Sequence, residues 1–123
     1  MKMFRKDEGF TLVELMVVVL IIGILVAIAI PIFNVAKASA QQKTCFANMR
    51  TVAGAWQTYI AQNPNDATAT GWSNVTGVLV PNYIKTVPVC PAAGTYTGAL
   101  TAQALAVSCS YSTGTAPHDG STF

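Results

Sequence analysis

Two hydrophobic patterns divide the chain. From Leu15 to Ala36 run 22 consecutive uncharged positions, dense in Val, Ile and Leu. From Cys45 onward the apolar residues recur at spacings of three and four: Cys45, Met49, Val52, Trp56 and Ile60, widened by Phe46, Ala53 and Tyr59. Lys43, Asn48, Arg50, Gln57 and Gln62 take the other faces. The second pattern is that of a helix with one side turned to a core. The first is long enough to span a bilayer, whose apolar core of about 30 Å needs roughly 20 helical residues. Eleven of residues 10–33 are Val or Ile, a composition that in water favours strand. Length overrules that preference, since a buried strand seldom exceeds about 8 residues. In lipid, moreover, a single segment satisfies its backbone hydrogen bonds only as a helix.

Together the patterns predict one helix from about Thr11 to Gln62. Residues 10–33 form its transmembrane or filament-core half, and residues 34–62 its amphipathic half, the spine of a small head. Asn63-Pro64-Asn65-Asp66 ends it by turn chemistry. Gly23 and Pro31 bracket Ile24 to Ile30, a place for the helix to kink or loosen. Residues 63–123 are short and heavily punctuated. Ser73 is placed to cap a brief helix into Val80, with Gly77 as a weak point. Thr95-Tyr96-Thr97 and Ala106 to Ser112 alternate as strands do, separated by Gly98 and polar residues. The expected fold class is α+β, a long N-terminal helix packed on a two- or three-stranded antiparallel sheet.

At 123 residues the chain is one small unit, and only 10% of it is charged, which suits an exported, assembled protein. Net charge is +2; residues 1–9 hold three basic and two acidic side chains, so their removal leaves +1. No basic tract interleaved with aromatics occurs, so composition does not support nucleic-acid binding. The basic leader stays cytoplasmic by the positive-inside rule.

Glu14 is the anomaly in the apolar half. A carboxylate at the bilayer centre costs about 2.5–3.5 kcal/mol on insertion scales and marks a function or a pairing. A cut after Gly9 would give Phe10 a free α-amino group, one helical turn from Glu14. The carboxylate can then pair with its own amine or with that of a neighbouring copy. Two rivals compete with such a cut. A secretory signal peptide has an apolar core of about 7–15 residues and an A-x-A site. Ala27-Ile28-Ala29 supplies a nominal site, but the apolar run is too long and Glu14 lies near its start. A permanent uncleaved anchor leaves Glu14 at the interface, snorkelling toward headgroups.

Gly9-Phe10-Thr11-Leu12-Val13-Glu14-Leu15-Met16, followed by Ile-rich sequence with Gly23 and Pro31, resembles the class III signal of type IV prepilins. Type II secretion pseudopilins and competence pilins share it. The resemblance covers residues 5 to 33. It implies cleavage after Gly9 by a prepilin peptidase, N-methylation of Phe10 by the same enzyme, and neutralisation of a neighbouring subunit's Phe10 amine by Glu14. It also implies a locally extended segment between Gly23 and Pro31 inside filaments; a simple proline kink is equally compatible with the sequence.

Cys45, Cys90 and Cys109 are an odd count, and an exported protein permits disulfides. Cys90 and Cys109 enclose 18 residues with a hairpin between them, so they are the expected pair, with Cys45 a buried thiol on the helix stripe. Cys90-Pro91, Gly94, Tyr96 and Cys109-Ser110 also resemble the C-terminal head of a Gram-positive-type pilin subgroup. The spacing of Cys90, Cys109 and His118 matches no common zinc pattern, so no metal or other cofactor is expected. Asn74-Val75-Thr76 is a formal glycosylation sequon, a three-residue match better read as an ordinary turn. No catalytic constellation is present.

The expected function is that of a structural subunit, a major pilin, in a helical filament on the cell surface, serving adhesion, motility or DNA uptake. Its partners would be copies of itself, the prepilin peptidase and methylase, a pilus assembly platform, and the inner membrane before assembly. A secretion pseudopilin or minor pilin is the alternative within that class. A membrane-tethered binding module, with Trp72, Tyr83 and Tyr96 as contacts, is the alternative outside it.

Overall fold

The computed structural model describes residues 9–66, 71–101 and 104–111. Helix α1 covers Leu12–Gln62, helix α2 Trp72–Leu79, strand β1 Tyr96–Thr101 and strand β2 Ala104–Cys109. The chain divides into two compact units, residues 1–35 and 36–123.

In the first unit every described residue is exposed. The exposed surface includes Leu12, Val13, Leu15 to Ile22, Ile24, Leu25, Ile32 and Phe33, side chains that in water would be driven into a core. By length and composition α1 can cross a membrane. It stays helical through Ile24–Ile30 and across Pro31, so the Gly23–Pro31 segment contains no extended residue here.

In the second unit α1 becomes a spine. Cys45, Met49, Val52, Trp56 and Tyr59 are buried along one stripe. Tyr59 takes the buried place expected for Ile60, which is only half-buried. The Tyr59 ring packs 5.3 Å from Trp56 and edge-on to Tyr83 at 5.5 Å. The predicted stop holds. Asn63 donates its backbone N–H and its side-chain amide to the Tyr59 carbonyl, and the Tyr59 hydroxyl bonds Asp66. That bond holds the Tyr59 hydroxyl protonated above its ordinary range.

Helix α2 begins at Trp72 with Gly71 as its N-cap, so Ser73 lies inside the helix and does not cap it. The Asn74-Val75-Thr76 sequon is helical, with the Thr76 hydroxyl bonded to the Trp72 and Ser73 carbonyls. Val75 and Leu79 are its buried residues. The loop that follows is tied to the spine by side-chain amides: Gln41 donates to the Pro91 carbonyl at 3.0 Å and Asn48 to the Val89 carbonyl at 3.2 Å.

The sheet has two antiparallel strands, with Tyr96 opposite Cys109 and Thr101 opposite Ala104. Period-2 alternation turns Leu105, Val107 and Cys109 to the core, opposite Leu100, Gly98 and Tyr96. On the outer face the Thr97 and Ser108 hydroxyls lie 3.0 Å apart. Two boundaries differ from expectation. Gly98 belongs inside β1 and not to a separating turn, and β2 starts two residues before Ala106 and ends at Cys109. Gly98 is accommodated because its bare backbone faces Trp72: a Cβ there would lie 2.6 Å from Trp72 Cε3 and 3.0 Å from Leu105 Cδ1. Ser112, His118 and Asp119 lie outside the described residues.

Candidate functional site

Among the described residues, two places concentrate polar or reactive groups: the N-terminus of α1 and a buried cysteine cluster.

At the first, Gly9, Phe10 and Thr11 precede the helix and are exposed, Phe10 at 91%. The Gly9–Phe10 peptide bond therefore lies outside the hydrogen-bonded helix, and no atom would crowd a Cβ at Gly9. Thr11 is the N-cap. Its hydroxyl accepts the Glu14 backbone N–H at 3.2 Å, and its own N–H donates to Glu14 Oε2 at 2.8 Å. The Thr11 hydroxyl in turn donates to the same Oε2 at 2.8 Å. This is a reciprocal capping box, in which two orphan N–H groups at a helix start are satisfied by each other's side chains. The carboxylate also sits where the helix dipole favours negative charge. Oε1 takes no hydrogen bond among the described residues. Glu14 is therefore held by Thr11 through one oxygen of an exposed side chain, near the residue that processing would make the terminus. Thr11 was not singled out from sequence, although Thr-x-x-Glu ahead of an apolar run is the signature of this cap.

At the second, α1 supplies Cys45, the loop before β1 supplies Cys90, and the end of β2 supplies Cys109. All three are buried, and their sulfurs lie within 4.8 Å of one another. Sequence spacing joined Cys90 to Cys109 and set Cys45 apart; the fold brings Cys45 to both. All three stand as thiols. Such a cluster has the donor set of a soft metal site or of a disulfide with a third thiol. No spacing rule could reveal it, because 44 residues separate Cys45 from Cys90. Burial pushes the Cys45 thiol up to about 12. It raises Cys109 as well, partly offset by the Tyr111 backbone N–H. Burial also raises Cys90, but there hydrogen bonds from the Ala92 and Gly94 backbone N–H groups and from the Cys109 and Cys45 thiols together outweigh it, and the thiol lies below its ordinary range.

Comparison with known proteins bears on the first place. A family model described as the prokaryotic N-terminal methylation motif matches residues 4–30. The chain is 42% identical over 57 residues to the type IV major pilin protein PilA of Myxococcus xanthus, covering 46% of this chain and 26% of that protein. It is 43% identical over 56 residues to the fimbrial protein EcpB of Eikenella corrodens, covering 46% and 35%. With the fimbrial protein EcpC of the same organism it shares 38% identity over 101 residues, covering 80% of this chain and 63% of that one. The chain thus spans between about a quarter and under two thirds of the length of these relatives. No solved structure matches it. With an N-terminal methylation motif, a long helix beginning within it and a small antiparallel sheet, the chain is similar in its N-terminal half to a type IV major pilin and to fimbrial proteins.

Proposed function

We propose that the chain is the major subunit of a type IV pilus-like filament, cut after Gly9, N-methylated at Phe10, held in the cytoplasmic membrane before assembly, and polymerised with copies of itself at the cell surface. A prepilin peptidase and an assembly platform are the partners this requires.

The observation that carries the proposal is the exposed apolar surface of α1 from Leu12 to Val35 with Glu14 fixed at its start. A surface of that extent marks an interaction site. Identical subunits meeting through a non-closing head-to-tail interface build a helical filament, and helices bundled at its centre would cover these side chains. Within such a bundle Oε1 of Glu14, which accepts no bond among the described residues, is available to the Phe10 amine of a neighbour. A wrong stagger would leave both charges buried without a partner, at a cost of about 3–5 kcal/mol. The pair therefore sets axial register. The relatives named as a major pilin and as fimbrial proteins support the same role.

The test separates the two tasks of Glu14. Glu14→Gln keeps a side chain able to close the capping box but removes the charge; Glu14→Ala removes both. Membrane insertion and cleavage are expected to persist in both variants, while surface filaments counted by electron microscopy are strongly reduced in both. Normal filaments from Glu14→Gln would show that capping, not charge pairing, is what Glu14 supplies.

A further inference from the structure

A single Cys90–Cys109 disulfide accounts for two of three converging cysteines. Cys45 is fully buried against the other two, although it comes from the spine helix and not from the hairpin. The backbone around the cluster is shaped to admit sulfur. The Ala93 N–H closes a turn onto the Cys90 carbonyl at 3.1 Å, and Ala93 takes a φ of 60°. A Cβ on Gly94 would lie 2.6 Å from the Cys109 sulfur and 3.2 Å from that of Cys90. Only glycine at this position leaves both sulfurs their places. Each sulfur has the other two within 4.8 Å, so all three pairings lie within reach of the cluster.

We propose that Cys45, Cys90 and Cys109 form a one-disulfide exchange set, in which the bond joins either Cys90 to Cys109 or one of these head cysteines to Cys45 of the spine. This rests on the expectation that the exported chain carries a disulfide, and extends it. The first bond takes two electrons from two thiols. The oxidant is a disulfide of another thiol compound, which takes those two electrons and two protons and leaves as its reduced thiols. Exchange is then redox-neutral. The Cys90 thiolate attacks Cys109 in a Cys45–Cys109 bond, a Cys90–Cys109 bond forms, and the electron pair departs on the Cys45 sulfur. Cys45 then takes up a proton in place of the one Cys90 gave up.

Burial disfavours the Cys90 thiolate, but the Ala92 and Gly94 N–H groups together with the neighbouring thiols favour it more, which suits Cys90 to attack in this step. Cys45 and Cys109, both raised by burial, are the sulfurs that hold their protons. The location of the bond decides what is stapled. Cys90–Cys109 closes a loop of 18 intervening residues within the head; Cys45–Cys109 closes one of 63 and ties the sheet to the helix. In chain-entropy terms the longer loop restricts the unfolded chain about sixfold more.

The test is an acid-quenched, non-reducing peptide map of the full-length chain, run on wild type and on Cys45→Ser, Cys90→Ser and Cys109→Ser, with intact mass recorded for each. Circular dichroism confirms that each variant is folded. The wild type is expected to yield Cys45-containing disulfide peptides beside Cys90–Cys109, and each variant to bridge its remaining two cysteines. Wild type with only Cys90–Cys109, together with two thiols in folded Cys90→Ser and Cys109→Ser, would overturn exchange and keep the simple pair. Folded Cys45→Ser with two thiols would overturn the Cys90–Cys109 pairing itself. A wild-type mass showing three thiols plus a zinc or copper ion would overturn both in favour of a metal site.

Discussion

Thr11 and Glu14 show how one acid can serve both the isolated subunit and an assembly. Through Oε2 the carboxylate accepts the Thr11 N–H and hydroxyl, which fixes its side chain at the mouth of the helix. A Glu14 left to wander would lose rotamer entropy on pairing with a neighbour; a pre-set one has already lost it. Under the proposed pairing, Thr11 is a positioning residue for Glu14. Thr11→Val keeps the shape but deletes the hydroxyl, and is expected to cost the start of α1 about 0.5–2 kcal/mol. Amide hydrogen exchange of Val13 to Leu15 in detergent micelles should speed up accordingly, and Thr11→Ser should restore it. Unchanged protection in Thr11→Val would show that the capping box contributes nothing. At this scale the sequence was partly legible. Glu14 stood out as the acid in an apolar run, whereas Thr11 hid in plain composition because its role depends on a three-residue spacing.

Among the elements, α1 was readable almost to the residue, since a charge-free run and a three-four stripe leave little choice and Asn63-Pro64 marks the end. The sheet was less so. Strand boundaries slipped because Gly98 reads as a breaker, and only the fold shows that its missing side chain makes room for Trp72. The same holds for Ser73, a good capping residue that ended up inside α2 because Gly71 took the cap. Gly98→Ala should therefore overpack the sheet against α2 and cost about 1–3 kcal/mol. Gly77, on an exposed turn of α2 where a Cβ would meet nothing within 4 Å, gives the contrast. Gly77→Ala should be neutral or stabilise by up to about 1 kcal/mol through helix propensity. Thermal or urea melts of the two variants decide it, and equal stability for both would remove Trp72 contact as the reason for Gly98.

For the whole molecule, the two units meet opposite physical requirements. Residues 36–123 bury a continuous core of helix, sheet and cysteines, while residues 9–35 bury nothing. The second fact was visible in the sequence as an uncharged run. The convergence of Cys45 with Cys90 and Cys109 was not, since long-range contact leaves no mark on local spacing. An apolar helix without cover in one chain is what a filament-forming subunit needs, and an N-terminal methylation motif matches at its start. The most direct test is tandem mass spectrometry of the N-terminal peptide from filaments sheared off cells. The expected result is this chain as their main component, beginning at N-methylated Phe10. A chain beginning at Met1 or Ile30, or its absence from filaments and confinement to the membrane, would contradict the proposed role.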